Sequence, residues 1–108
     1  MDILYRSTRN DSVTATASEA ILKGLAEDGG LFVPDRIPLL DKSLKELAGM
    51  SYKEVAYEIM KLYFTDFTEE ELKHCIHNAY DTKFDTSEIA PVIGEKSPYF
   101  LELFHGST

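Results

Sequence analysis

The chain predicts a small α+β domain, rich in helix and carrying a few short strands. Three observations point there. A hydroxyl residue followed three positions later by glutamate recurs at Thr16…Glu19, Ser43…Glu46, Ser51…Glu54 and Thr68…Glu71. In such a capping box the hydroxyl serves one unpaired amide of a helix start and the glutamate serves another. The last two boxes open runs with helical apolar spacing. The runs that carry β-branched and aromatic residues are only a few residues long, as short strands are. The 108 residues suit a single domain over 1–108. A domain of that size buries roughly two thirds of the surface its unfolded chain exposes.

Taken in order, residues 2–6 (Asp-Ile-Leu-Tyr-Arg) predict a strand, and residues 7–12 a polar loop in which Asn10, Asp11 and Ser12 favour turns. The helix after Thr16 places Ile21, Leu22 and Leu25 on one face and ends near Gly24. Gly29-Gly30 then supply positive φ for a tight turn, and Leu31-Phe32-Val33 is expected as a short buried strand closed by Pro34. Ser43 opens a short helix ended by Gly49. Ser51 opens a helix through Phe64, with Val55, Ala56, Ile59, Leu62 and Tyr63 on one face. Thr68 opens another through Tyr80, with Leu72, Cys75, Ile76 and Ala79 at i, i+3, i+4 and i+7. The short connection between these two helices predicts an antiparallel pair. Residues 81–90 are loop-like. Residues 91–93 and 99–104 predict strands joined by a hairpin loop over 94–98.

Composition narrows the function classes. The net charge is −8, with one acidic run at Glu69-Glu70-Glu71, which argues against nucleic acid or an anionic membrane as partner. No apolar run approaches the ~18 to 20 residues of a bilayer span, and the start lacks the pattern of a signal peptide. The single cysteine, Cys75, suits a reducing compartment. A soluble cytoplasmic protein is expected.

Few residues invite chemistry. His74, Cys75 and His77 contain zinc-ligand types, but one helical turn cannot aim all three at one ion. They read as a core-facing cysteine flanked by two surface histidines, and no metal site is expected. Gly29-Gly30 follow a helix and precede a strand, the reverse of a phosphate-cradling loop. Ser7-Thr8-Arg9 offer two hydroxyls and a guanidinium to an anion, although from the residues alone a solvated loop is the simpler account. Phe104-His105-Gly106-Ser107-Thr108 follow an apolar strand, a place where α/β proteins often keep sites.

Three segments together resemble the N-terminal region of the threonine synthase family. They are Tyr5-Arg6-Ser7-Thr8-Arg9, the stretch Ser18 to Pro34 that contains Gly24-Leu25-Ala26-Glu27-Asp28-Gly29-Gly30-Leu31-Phe32-Val33-Pro34, and Tyr99 to Thr108. In that family the last segment usually reads Phe-His-Gly-Pro-Thr and continues to Ala-Phe-Lys-Asp. Ser107 stands where proline is commoner, and Asn10 where glycine often follows Ser-Thr-Arg.

The resemblance implies a pyridoxal-phosphate enzyme that converts O-phosphohomoserine and water to threonine and phosphate. Its Schiff-base lysine would lie beyond Thr108, so no catalytic residue is expected in this chain and no bound cofactor either. His105, Gly106, Ser107 and Thr108 are expected beside the cofactor, and Ser7, Thr8 and Arg9 toward the substrate phosphate. The partner would be the remainder of the same polypeptide, an α/β cofactor domain. Without it, an apolar junction would be exposed and would favour self-association. The glycines of the 24–34 stretch would carry Leu31, Phe32 and Val33 into the core. Two alternatives remain at this point: a threonine-synthase-like phospho-lyase, and a free-standing, non-catalytic helical interaction module.

Overall fold

A computed structural model describes residues 2–106 of the protein. Among them, four helices and five short strands make a mixed α+β fold. The order is β1 (Tyr5–Ser7), β2 (Thr14–Ala15), α1 (Ala17–Lys23), β3 (Phe32–Pro34), α2 (Leu44–Ala48), α3 (Tyr52–Tyr63), α4 (Glu69–Ala79), β4 (Val92–Ile93) and β5 (Phe100–Leu101).

The helices begin where the hydroxyls stand. Thr16, Ser51 and Thr68 accept from the amide three residues on, and Glu19, Glu54 and Glu71 reach back to the cap amide. Ser43 makes only the first of these bonds, so the fourth expected capping box is half formed. Helix α1 stops at Gly24, whose φ of 76° is left-handed and costs a glycine little.

Helices α3 and α4 run antiparallel, as their cross-contacts show. Tyr52, at the start of α3, meets Tyr80, at the end of α4, with ring centroids 5.1 Å apart. Lys53 Nζ donates to the His77 carbonyl at 3.3 Å, and Lys73 Nζ lies 4.8 Å from the centre of the Tyr57 ring. Leu72 and Ile76 are buried in the seam.

The sheet has the order β2-β1-β3 with β1 central and both pairings antiparallel. Its register sets Tyr5 opposite Ala15 on one side and Pro34 on the other, and Ser7 opposite Phe32. Strand β1 is displaced from the expected 2–6 toward the loop. Ile3 lies outside it, yet is almost fully buried. The α3–α4 turn ties sheet and helices together. Ile3 N donates to Thr65 Oγ1 at 3.0 Å, Tyr5 OH to the Tyr63 carbonyl at 2.8 Å, and Ser18 N to Asp66 Oδ2 at 3.1 Å. The Ser18 hydroxyl also bonds Asp66 Oδ2.

Several apolar segments face outward. Leu31 is 59% exposed and Val33 42%, so the 31–33 strand is not the buried one expected, and the glycine turn does not carry it into the core. The apolar face of α1 is open as well, with Leu22 at 88%. Cys75 is exposed rather than core-facing. The last expected strand, 99–104, contracts to Phe100–Leu101, which pairs with Val92–Ile93 in an exposed hairpin.

These departures share one cause. The buried hydrophobic core among the described residues consists of Ile3, Ala15, Ala17, Ala26, Leu47, Leu72 and Ile76. Three of them are alanines, so the core is thin for a chain that is 44% apolar. The radius of gyration is 16.1 Å, against about 13 Å for a compact domain of this length. No helix among the described residues is long and apolar enough to cross a membrane.

Thr68→Ala removes the hydroxyl that caps α4 and is expected to lower unfolding stability by about 1 kcal/mol. Urea denaturation would read this as a lower midpoint at unchanged slope.

Candidate functional site

The residues of the first candidate site meet where β1 ends against the glycine turn. Gly29 N donates to the Ala26 carbonyl and Ala26 N to the Gly30 carbonyl, each at 2.9 Å, which closes the turn. Gly29 adopts φ 82°, and a Cβ there would lie 2.8 Å from Arg9 Nη1. Gly30 is required for a different reason. Its φ is not positive, but a Cβ would overlap the Ser7 hydroxyl. The expectation that both glycines supply positive φ therefore holds for Gly29 alone.

Asp28 organises the cluster. Its Oδ1 accepts from the Ser7 hydroxyl at 2.6 Å and from the Gly30 amide at 3.0 Å. Its backbone carbonyl accepts from Arg9 Nη1 at 2.9 Å. The Ser7 hydroxyl, with its residue 2% exposed, in turn accepts from Arg9 N at 3.2 Å. Thr8 clips the following strand, since its Oγ1 accepts from Leu31 N at 3.0 Å and its amide donates to the Leu31 carbonyl at 2.9 Å. The Ser7 hydroxyl, then the Gly30 amide, hold the Asp28 carboxyl below its ordinary range, and the Arg9 charge adds to the effect. Asp28 Oδ2 is buried without a hydrogen-bond partner among the described residues.

This arrangement divides the three expected phosphate-facing residues. Ser7 is internal, with its hydroxyl used as both donor and acceptor. Thr8 and Arg9 are exposed. The Thr8 hydroxyl keeps its proton to donate, and the Arg9 fork has N–H groups beyond the one given to Asp28. That pair can hold an anion.

The second candidate segment is a separate cluster. His105 Nδ1 lies 2.5 Å from Asp85 Oδ1 and its Nε2 2.8 Å from Glu102 Oε1. Asp85 N donates to the His105 carbonyl at 2.9 Å. The Phe104 ring lies 4.5 Å from the imidazole, and Gly106 sits against Phe84, whose ring a Cβ would strike. The Glu102 carboxylate first, then Asp85, raise the His105 pKa above its ordinary 6.5. Ser107 and Thr108, the other two expected cofactor-adjacent residues, lie outside the described residues.

The hydrogen bonds of the first cluster run among residues 7–31, and those of the second among residues 85–105. His74 and His77 have separate neighbours: His74 Nε2 lies 3.0 Å from Asn78 Nδ2 and His77 Nδ1 3.3 Å from Lys53 Nζ. Cys75 lines an apolar groove with Ile21, Phe64 and Phe67. Sequence reasoning gave no role to Asp28, Asp85 or Glu102. The Asp-Gly-Gly order was a usable signal for Asp28, because aspartate before such a turn bonds the amide two residues on.

Gly30→Ala is expected to destabilise the fold by about 1 to 3 kcal/mol, since the methyl must displace Ser7; chemical denaturation measures it. The lowered Asp28 pKa makes its contribution present above the ordinary 3.8 and lost as pH falls through the folded value. Acid titration of stability should therefore be shallower in Asp28→Asn than in the parent chain.

Comparison with known proteins places the chain in a family. Residues 4–80 match the family model described as threonine synthase N terminus. The chain is 39% identical to a threonine synthase of Saccharomyces cerevisiae, over 97% of its own length and 22% of that relative. It is 41% identical to Homo sapiens threonine synthase-like 1, over 84% of its length and 13% of that protein. The crystal structure of pyridoxal-phosphate-bound threonine synthase from Brucella melitensis superposes with a TM-score of 0.76 at 29% identity, covering 97% of this chain and 23% of that one. The chain thus spans less than a quarter of the length of these relatives, and it belongs to the threonine synthase N-terminal family.

Proposed function

We propose that the chain is the N-terminal domain of a longer, pyridoxal-phosphate-dependent threonine synthase of the cytoplasm, which converts O-phospho-L-homoserine and water to L-threonine and phosphate. The observation that carries this is the 39% identity to the yeast threonine synthase across 97% of the chain.

The cofactor, when bound, supplies an electron sink for substrate carbanions. The described residues do not by themselves fit it. A Schiff-base lysine needs an activated, enclosed amine. Lys23, Lys42, Lys61, Lys73 and Lys83 are each paired with carboxylates. Lys53 is bonded to His77, and Lys45 and Lys96 are exposed. The cofactor and its lysine therefore belong to the remainder of the polypeptide. The same remainder covers the apolar surface of α1, β3 and the β4–β5 hairpin, and without it the isolated chain self-associates through that surface.

Within this division of labour, the chain contributes its edges. Arg9 and Thr8 present donors to the substrate phosphate, held in place by Asp28 and Leu31. Residues 105–108 border the cofactor. The alternative outcome is a phospho-lyase of the same architecture, which would release phosphate without forming threonine.

Product analysis of the longer protein on O-phosphohomoserine separates the two. Threonine with phosphate supports the synthase, and 2-oxobutyrate with phosphate the lyase. In that protein Arg9→Gln should raise KM for the phosphorylated substrate by roughly tenfold, the scale of one charge-assisted hydrogen bond, with a smaller effect on kcat. The isolated 108-residue chain, mixed with pyridoxal phosphate and reduced with borohydride, should retain no cofactor on any lysine.

A further inference from the structure

The His105 imidazole sits between two carboxylates. Both ring nitrogens face carboxylates, Nδ1 toward Asp85 from the 81–90 loop and Nε2 toward Glu102 from its own segment. A neutral imidazole has one N–H and one bare nitrogen. It would leave one carboxylate facing a lone pair at hydrogen-bond distance. Only the imidazolium donates to both. The charged groups among its interactions are these two carboxylates, and Phe104 covers a face of the ring. The His105 side chain is 12% exposed, and its carboxylate partners are 69% (Asp85) and 28% (Glu102) exposed.

The same contact closes a loop in the backbone. Asp85 N donates to the His105 carbonyl while the Asp85 carboxylate holds the His105 ring. Glu102 is fixed through its own amide, which donates to the Pro91 carbonyl at 2.9 Å. Gly106 then passes directly over Phe84, where any side chain would collide. One residue thus joins the segment after β5 to the loop after α4 through side chain and main chain together.

The geometry points to His105 as a positioning residue: a doubly hydrogen-bonded imidazolium between Asp85 and Glu102 that pins the 104–106 segment to the 81–90 loop and leaves no ring nitrogen for a ligand or a proton transfer. Its bearing on the reaction rests on the proposal that residues 105–108 border the cofactor. The pin itself does not.

The pin is pH-dependent with a definite sign. A folded pKa above the ordinary 6.5 means that the protonated ring stabilises the fold. That contribution is complete below 6.5 and disappears as pH rises through the folded value.

The test is nitrogen-15 NMR of the 108-residue chain, its Asp85→Asn and Glu102→Gln variants, and an Asp81→Asn control, with circular dichroism establishing that each is folded. The expected result is two protonated ring nitrogens on His105 at pH 7. Its titration midpoint should lie above 6.5, move down in both pin variants and stay unmoved in the control. Protection of the Asp85 amide against hydrogen exchange, corrected for intrinsic rate, should fall as pH passes that midpoint. A neutral ring with one bare nitrogen at pH 7, or a midpoint indifferent to both pin substitutions, overturns the inference. Should a pin variant not fold, the parent chain's ring protonation and Asp85 protection decide alone. In the longer protein, Asp85→Asn should lower kcat/KM roughly tenfold, the effect of one lost charge-assisted bond. An intact NMR signature with unchanged kcat/KM would leave the pin standing and remove the cofactor-edge assignment.

Discussion

The hydrogen bond between the Ser7 hydroxyl and Asp28 is the constraint on which the N-terminal half depends. It lies beneath Gly30, in space that no other residue leaves open. The requirement runs in both directions along the chain. Ser7 must point inward from β1, which fixes the register of β1 against β3. Asp28 must turn back to receive both the hydroxyl and the Gly30 amide, which fixes the turn. Arg9 and Thr8 are then held by contacts with the same turn, so the only outward-facing donors of the cluster inherit their placement from one buried serine.

How much of this could be read in the sequence depended on range. Helix starts were legible because a capping box is closed within four residues, and three of the four form in full. The antiparallel α3–α4 pair followed from the brevity of its connection. Strands were less legible, since β2 is two residues long and β4 and β5 no longer, with nothing but pairing partners to define them. Burial was misread at Leu31, Val33 and Cys75 for a specific reason. Apolar periodicity marks the face that must be covered, but does not say whether the cover comes from the same stretch of chain.

The candidate site divided along similar lines. Arg9 was legible as a guanidinium next to two hydroxyls, whereas the clash that makes Gly30 obligatory needed the fold to be seen. Asp85 and His105 are twenty residues apart with no periodicity between them, so their contact had no local signal. The resemblance to the family, by contrast, was legible in residues 5–9, 18–34 and 99–108, and the family model matches residues 4–80. At Gly29, Gly30 and Gly106 the fold leaves little choice of residue, which makes such positions recognisable at a distance.

The α3–α4 turn has a consequence of its own. Tyr63, Thr65 and Asp66 offer acceptors to Tyr5, to Ile3 and to Ser18, residues that come from β1, the stretch before it, and α1. A connection of this kind behaves as a keystone. Adding or deleting one residue within it would rotate these acceptors out of reach of an N-terminal segment that has little core of its own to hold it. A length change should therefore be tolerated less well in this turn than at the exposed β4–β5 tip. The spacing between the Ser51 and Thr68 caps is set less by the helices than by the strand they support.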